Sequence, residues 1–246
     1  MYPISIAELK DFHQNLFDFD KSLSNILRFG SYPEIASGKS KDPILYLKEV
    51  SNNYLYQDAL EYEGVKKPEI LLNLLKLLAY QVGNEVSYNE LATKLEVSRN
   101  LVIRYIDILE KAFVIFRLPP FARNLRNEIG KKNKIYFYDL GIRNALIDSF
   151  DSLENRSDTG VLWENFCVIE RIKRIQYEKW YRGLYFWRNT RGKEIDFVEN
   201  YDGRLYGYEF KWGLGEYKVP KEFLDEYKNS SLLIVNKSNA AEFLGF

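Results

Sequence analysis

Hydrophobic and polar positions alternate at helical spacing through the first 66 residues. Three stretches carry the pattern: ISIAELKDF, SLSNILRFG and DPILYLKEVSNNYLYQDALEYEG. The apolar face of the third stretch is predicted to consist of Ile44, Leu47, Val50 and Leu55. The segment PEIASGKS ends like a phosphate-binding loop, but Pro33 stands where that motif requires a glycine, and no apolar strand precedes it. We therefore predict a small helical unit that does not hydrolyse a nucleotide.

Residues 67–139 contain three further predicted helices. Pro68 begins the apolar helix EILLNLLKLLAYQVG, because proline is favoured in the first turn of a helix. Ser87 and Glu90 have the spacing of a capping box at the start of SYNELATKLEV, and Ser98 is a favourable N-cap for SRNLVIRYIDILEKAF. The buried stripe of the last helix is predicted to contain Leu101, Tyr105, Ile108 and Leu109. The last two helices and the short turn between them form a helix-turn-helix pattern.

Two strands, VIFRLPPF and KIYFYDL, are predicted after the helix-turn-helix. The basic stretch ARNLRNEIGKKN joins them and suits the wing of a winged-helix domain. In such domains the exposed start of the second helix faces a DNA groove, and basic residues of the wing reach phosphates. The residues expected to contact nucleic acid are Arg99, Asn100, Arg104, Lys131, Lys132 and Lys134. The alternative is a winged helix that only packs against other modules, because a fold does not determine its use.

Residues 140–246 show the order helix, three strands, helix, strand. The predicted helices are VLWENFCVIERIKRI and PKEFLDEYKN. The predicted strands are LYFWRN, KEIDFVEN, RLYGYEFKW and SLLIVNK.

The dipeptide Asp202-Gly203 strongly favours a two-residue hairpin loop between the second and third of these strands. The loop sets a register in which Asp196 lies opposite Glu209, with their Cβ atoms roughly 4.5–5.5 Å apart. By the two-residue period of a strand, Asp196, Glu209 and Lys211 share one face. The other face is predicted to carry Ile195, Phe197, Phe210 and Trp212.

Facing carboxylates destabilise a sheet, so Asp196 and Glu209 require a cation. A hard divalent metal such as Mg²⁺ or Mn²⁺ fits, because magnesium in proteins takes one or two carboxylates together with water and substrate phosphate. Lys211 would then orient or help to deprotonate an attacking water, or stabilise the charge that develops on the phosphate. The alternative is an exposed strand face on which Lys211 pairs with Glu194, the residue opposite it.

Glu164 is a candidate third carboxylate of the site. It lies in the apolar stripe of its predicted helix, where a buried acid calls for a partner. We therefore list Glu164 as a candidate metal ligand and catalytic residue. The alternative is that Glu164 only favours the positive end of the helix from its first turn.

The amino-acid composition limits the kinds of active site that the chain can form. The single cysteine, Cys167, excludes an internal disulfide, and with the single histidine, His13, it leaves too few ligands for a zinc site of His and Cys residues. The position of His13 near the chain start argues against a Ser-His-Asp hydrolase. The net charge is zero, yet residues 99–134 carry nine basic against three acidic residues, as nucleic-acid binders do.

No apolar run approaches the length of a membrane span, and the chain start lacks the features of a signal peptide. We expect a cytoplasmic protein without a membrane partner.

The motifs LWENF, YFWRN…GKEIDFV and YEFKW resemble those of the PD-(D/E)XK, or restriction-endonuclease-like, superfamily, whose core is helix, three strands, helix, strand. The chain as a whole resembles the C-terminal part of a prokaryotic family of AAA-type ATPases, and LRFGSYPEI and NNYLYQDAL look like its helical portion. The resemblance implies an α+β protein with a lid-like helical segment over 1–66, a winged helix over 67–139 and a nuclease-like domain over 140–246. It assigns the acidic motif to Asp196, the E-x-K motif to Glu209 and Lys211, and the helix acid to Glu164.

The resemblance implies a nucleic-acid-associated protein, with DNA as the expected partner and a Mg²⁺- or Mn²⁺-dependent phosphodiesterase as the expected activity. The family's ATPase module has no counterpart in these residues, so we expect a truncated gene product or a fragment of a longer protein, with an ATPase module or a second copy of the chain as a partner. One alternative is a non-catalytic DNA-binding portion of such an ATPase. Another is a partner-interaction portion with an exposed aromatic patch made of Tyr177, Trp180, Tyr181, Tyr185 and Trp187.

Overall fold

A computed structural model of the protein describes residues 2–13, 17–54, 65, 67–121, 132–213, 215, 217 and 220–246. Within these residues the chain combines helices with two β-sheets, an α+β arrangement. The helices are α1 Ile6–His13, α2 Phe19–Phe29, α3 Pro33–Ala36, α4 Pro43–Glu49, α5 Pro68–Tyr80, α6 Tyr88–Lys94, α7 Arg99–Lys111, α8 Leu140–Leu146, α9 Thr159–Tyr177, α10 Lys221–Glu226 and α11 Ala240–Leu244. The strands are β1 Glu85–Val86, β2 Ile115–Leu118, β3 Asn133–Phe137, β4 Gly183–Arg188, β5 Glu194–Tyr201, β6 Arg204–Phe210 and β7 Ser230–Val235. No helix in the described ranges has the length and apolar character needed to cross a membrane.

The N-terminal helices differ from their predicted extent. α4 is shorter than its periodicity indicated, because the chain continues after Glu49 as a π-helix over Val50–Tyr54. Leu47 and Val50 are buried as predicted, but Ile44 is 37% exposed, so its assignment to the apolar face is wrong. Ile44 lies in the first turn of a two-turn helix whose only buried residue is Leu47. Leu55 lies outside the described residues.

The middle segment forms a three-stranded sheet beside its helices. Ser87 accepts a hydrogen bond from Glu90 N at the start of α6, and Ser98 accepts one from Leu101 N at the start of α7, so both predicted N-caps are confirmed. β3 is the central strand and pairs antiparallel with β1 and β2. β1 was not predicted, because two residues are too few to show a periodic pattern. The predicted stripe of α7 is buried except Leu101, which is half-buried.

A buried polar network fastens α8 to the N-terminal helices. The carboxylate of Asp139 accepts a hydrogen bond from Ser31 N (2.7 Å), after α2, and also caps α8. Arg143 Nε of α8 donates to Ala79 O of α5 (2.9 Å), and Asn144 Nδ2 donates to Leu27 O of α2 (2.9 Å). Helix α8 therefore belongs structurally with the helices that precede it rather than with the second sheet.

The elements from α9 to β7 follow the predicted order of helix, three strands, helix, strand, and helix α11 follows β7. Its strand order is β4-β5-β6-β7, antiparallel except for the parallel β6–β7 pair. On one face Tyr208 packs against Phe243 of α11, with ring centroids 4.8 Å apart. On the other face Trp187 packs against Phe223 of α10, with ring centroids 5.4 Å apart. Trp187 is 2% exposed, so its assignment to an exposed aromatic patch is wrong, whereas Tyr181 is 97% exposed.

The β5–β6 hairpin has the predicted turn and register. Asp202 and Gly203 both adopt positive φ, and the strands pair in the predicted register as far as Phe197 and Tyr208. One extra residue of β5 lies between its pairs with Tyr185 and Trp187 of β4, which is a β-bulge.

The bulge changes which residues share a face. Ile195 joins the smaller cluster with Trp187 and Phe223, whereas Phe197 and Phe210 join the main core. The prediction that Ile195 shares a face with Phe197 is therefore wrong, because strict alternation fails across a bulge.

Candidate active site

Asp196 lies at the bulge of β5, beside the end of β6. Its Oδ2 accepts a hydrogen bond from Phe210 N (2.9 Å), and its own backbone N donates to Glu209 Oε2 (3.3 Å). Asp196 and Glu209 are therefore neighbours, as the predicted register required, although the regular ladder ends one pair earlier. Bulges re-aim side chains and are frequent beside active sites.

An open cleft of about 940 Å³ lies over this end of the hairpin. Asp196, Glu209 and Lys211 line it, and Lys211 Nζ lies 3.7 Å from Glu209 Oε1. The other lining residues are Gly192, Lys193, Glu194, Pro220, Lys221, Glu222 and Asp225. Glu194 pairs with Lys134 rather than with Lys211, so the alternative of an exposed Lys211–Glu194 pair is wrong.

Lys134 of β3 brings a buried ammonium group to the same acids. Its side chain is 2% exposed, and Nζ lies 3.1 Å from Glu164 Oε1, 2.5 Å from Glu194 Oε1 and 3.7 Å from Asp196 Oδ1. Tyr136, two residues along β3, donates its hydroxyl to the same Glu164 Oε1 (2.7 Å). Burial acts to lower the pKa of Lys134, but the charges of the three carboxylates outweigh it and raise that pKa.

The prediction that Lys134 contacts nucleic acid is wrong, because a buried ammonium that is already paired with carboxylates cannot reach a phosphate of DNA. A lysine at the start of a buried central strand requires acidic partners, and it finds them on α9 and β5. Sequence reasoning missed this role and that of Tyr136. The near-continuous apolar run KIYFYDL was the available signal, because it indicates a strand that is covered on both faces.

Glu164 lies beyond the first turn of α9, which begins at Thr159 and has no acidic residue in that turn. The alternative of a simple helix-end interaction is therefore wrong. The side chain of Glu164 is 16% exposed and bonds to Lys134 and Tyr136. Gly83 leaves room for it, since a Cβ there would lie 3.3 Å from Glu164 Oε1.

The acid cluster carries an excess of negative charge. Burial and then the charge of Asp196 raise the pKa of Glu209 to about 8, against the opposing charge of Lys211. Burial and then Asp196 also raise the pKa of Glu164 to about 7, against the opposing charge of Lys134. These two rises have the same physical cause, namely desolvated carboxylates with too little positive charge near them.

The described residues contain no group of three or more His, Cys, Asp or Glu side chains with the spacing of a metal site. Asp196 and Glu209 form a set of two hard oxygen donors beside an open cleft. Two carboxylates are within the number that magnesium takes in proteins, since water and phosphate oxygens supply the rest.

The remaining predicted nucleic-acid contacts lie apart in sequence from these acids. Arg99, Asn100 and Arg104 are exposed in the first two turns of α7. Lys132 is exposed just before β3, and Lys131 lies outside the described residues.

Two family models match the chain. Residues 20–153 match the family described as Domain of unknown function (DUF8612), and residues 159–245 match the family described as Domain of unknown function (DUF4143). No solved structure matches the chain.

Similar curated proteins come from bacteria and an archaeon. An uncharacterized protein of Mycobacterium tuberculosis (strain ATCC 25618 / H37Rv) is 30% identical over 188 residues, which cover 75% of this chain and 42% of the relative. One of Methanocaldococcus jannaschii is 26% identical over 129 residues, covering 52% of this chain and 27% of the relative. An uncharacterized protein of Haemophilus influenzae is 23% identical over 183 residues, which cover 71% of this chain and 44% of the relative. The chain thus spans less than half the length of these relatives. Because the first family model covers more than half of the chain, the protein belongs to the DUF8612 family, and residues 159–245 form a DUF4143 domain.

Proposed function

We propose that the protein is a nucleic-acid-associated, cytoplasmic protein whose C-terminal domain hydrolyses phosphodiesters with a divalent cation at Asp196 and Glu209. The observation that carries the proposal is the adjacency of these two desolvated carboxylates beside an open cleft, with Lys211 Nζ 3.7 Å from Glu209. A structural role alone gives no reason to bring two carboxylates together and leave them short of positive charge.

The arrangement of the second sheet also supports the proposal. The order helix, three strands, helix, strand and the mixed sheet agree with the restriction-endonuclease-like core that the sequence motifs resemble. In that comparison Asp196 occupies the acidic motif, and Glu209 and Lys211 occupy the E-x-K motif.

The donor set fits Mg²⁺ or Mn²⁺. Both donors are carboxylates, and the raised pKa of Glu209 reflects a site that a cation would stabilise. When bound, such a cation polarises the phosphodiester and lowers the pKa of a coordinated water.

The chain's own residues would supply orientation and charge. Asp196 is held in place by the hydrogen bond from Phe210 N, and Lys211, a third exposed, presents its ammonium to the cleft. There Lys211 would orient the attacking water and stabilise the negative charge that develops on the phosphate. Lys193 and Lys221 line the same cleft and would contact neighbouring phosphates of the strand.

Cleavage assays on supercoiled, linear and single-stranded DNA with Mg²⁺ or Mn²⁺ test the proposal. Asp196→Asn keeps an acceptor for Phe210 N but removes a charge that would hold the cation, so we expect a rate loss of at least about 100-fold, the lower end of what one electrostatic contact to the transition state contributes. Lys211→Ala should give a similar loss, whereas the exposed control Lys228→Ala should cut at the wild-type rate. A wild type that is inert with both metals, or an Asp196→Asn variant that cuts normally, would contradict the proposal.

A second candidate is a non-catalytic DNA-binding or partner-interaction portion of an AAA-type ATPase. The exposed Arg99, Asn100 and Arg104 at the start of α7 favour it, because α6 and α7 with the β1-β3-β2 sheet agree with a winged helix. The relatives are more than twice as long as the matched region, which leaves length for an ATPase module.

Fluorescence anisotropy with a labelled DNA duplex separates the two candidates. Under the second candidate, Arg99→Ala combined with Arg104→Ala weakens binding, while Asp196→Asn leaves it unchanged and no cleavage occurs. Equal binding by all variants would exclude α7 as the contact surface.

A further inference from the structure

Lys134 reaches the candidate active site from a different sheet. It lies in β3 of the first sheet, whereas its three carboxylate partners lie on α9 and β5. The two sheets meet next to it, where Phe186 N of β4 donates to Pro119 O (3.0 Å) and Phe121 N donates to Phe186 O (2.6 Å). Lys134 Nζ also lies 5.6 Å from the centre of the Phe186 ring.

Burial of this ammonium group needs a reason beyond stability. A buried ion pair contributes little net stability compared with apolar residues of the same size, because both charges lose their hydration. Contacts with Glu164, Glu194 and Asp196 compensate Lys134 for the free energy of hydration that it loses on burial. Its single positive charge therefore acts on the acids that surround the proposed metal site.

The contacts divide the acids into two groups. Glu164 Oε1 is engaged by both Lys134 Nζ (3.1 Å) and the Tyr136 hydroxyl (2.7 Å). Asp196 Oδ1 lies farther from Lys134 Nζ, at 3.7 Å. Glu209 forms no ion pair with Lys134, and its Oε1 lies 3.7 Å from Lys211 Nζ instead. Lys134 thus holds the carboxylates of Glu164 and Glu194, the latter at 2.5 Å, whereas Asp196 and Glu209 line the cleft without so close a contact to it.

Resting on the proposed function, we propose that Lys134 is a positioning residue of the site: together with Tyr136 it holds the Glu164 carboxylate, so that Glu164 is not a metal ligand and the divalent cation binds at Asp196 and Glu209. A residue of the first sheet, Lys134, therefore completes the site. The second sheet by itself would lack this positive charge of the site.

Mn²⁺ binding by the full chain, followed by the electron paramagnetic resonance signal of free Mn²⁺, tests this assignment. The decisive variant is Lys134→Met with Glu164→Gln, which removes one charge of each sign and keeps side chains of similar size. If Glu164 only partners Lys134, this double variant binds Mn²⁺ within about threefold of wild type, a difference of less than about 1 kcal/mol. Lys134→Arg keeps the charge and should also bind as wild type does.

The single variant Lys134→Met leaves the acids without their internal cation, so its Mn²⁺ dissociation constant should fall by at least about tenfold. The exposed control Lys76→Met should leave it unchanged. If the single variant does not fold, the charge-balanced double variant carries the test, with circular dichroism as the check on its fold.

A double variant that folds but binds Mn²⁺ at least about tenfold more weakly than wild type would overturn the inference, because Glu164 would then be a ligand. A wild type that takes up no Mn²⁺ and cuts no DNA would instead overturn the proposed function. The two failures are therefore distinguishable.

Discussion

Replacement of Glu199 by glutamine should strongly destabilise the C-terminal domain. The Glu199 side chain is completely buried and contacts two guanidinium groups, those of Arg171 and Arg182. Arg171 Nε donates to Glu199 Oε1 (2.6 Å), and its Nη2 lies 3.3 Å from Oε2. Glutamine keeps the size of the side chain but leaves both arginines without a carboxylate.

The magnitude follows from this geometry. Breaking a buried ion pair by removing one partner costs about 3–5 kcal/mol. Arg171 keeps its hydrogen bond to Phe243 O (2.7 Å), and glutamine still offers one acceptor oxygen, so we expect the lower end, about 3 kcal/mol. With a denaturant dependence of about 3 kcal/mol per molar urea, the unfolding midpoint should fall by about 1 M.

Tryptophan fluorescence during urea unfolding is the appropriate assay. All four tryptophans lie between residues 163 and 212, so the signal reports on the part of the chain that contains Glu199. Glu178→Gln is the matched control, because Glu178 is exposed at the end of α9, and it should change stability by no more than about 0.5 kcal/mol. A loss below about 1 kcal/mol for Glu199→Gln would refute the buried ion-pair argument.

Two further predictions concern Gly30 and Asp158. Gly30→Ala should lower the free energy of unfolding by at least about 2 kcal/mol, because Gly30 has a φ of +72° and a Cβ there would collide with the Asp139 carboxylate. Gly38→Ala is the control, with a φ of +68° and open space around it, and should cost about 1 kcal/mol. Equal losses of stability in thermal unfolding would contradict the argument. Burial acts to raise the pKa of Asp158, but its two arginine partners outweigh it and lower the pKa to about 2. Stability from this lowered pKa is present above pH of about 4 and is lost as the pH falls through about 2. Asp158→Asn should therefore cost about 1–2 kcal/mol at pH 7, after allowance for solvent screening, and no more than about 0.4 kcal/mol at pH 2, where the Asp158 carboxyl is half protonated. The same cost at both pH values would count against the ion pairs.

Much of the local structure could be predicted from short-range signals. The N-caps Ser87 and Ser98 and the start of α5 at Pro68 were recognisable, because capping and proline geometry act over three or four residues. The Asp202-Gly203 turn fixed the hairpin register, and with it the adjacency of Asp196 and Glu209, for the same local reason.

The surroundings of the site could not be predicted in this way. The bulge in β5 moved Ile195 to the face opposite Phe197, because an insertion in one strand depends on its pairing with a neighbour that is remote from the turn. Lys134 looked like a wing lysine for DNA, since its sequence neighbours are basic, but its strand is central and buried.

The sequence by itself determined the elements, the hairpin register and the pair of carboxylates with Lys211 beside them, because these depend on residues that are close along the chain or joined by a two-residue turn. Only the tertiary structure decided that Lys134 belongs to the acid cluster. Its three partners lie 30 to 62 residues away on α9 and β5, and the energy of placing a lysine among carboxylates depends on burial and distance, which no sequence spacing specifies.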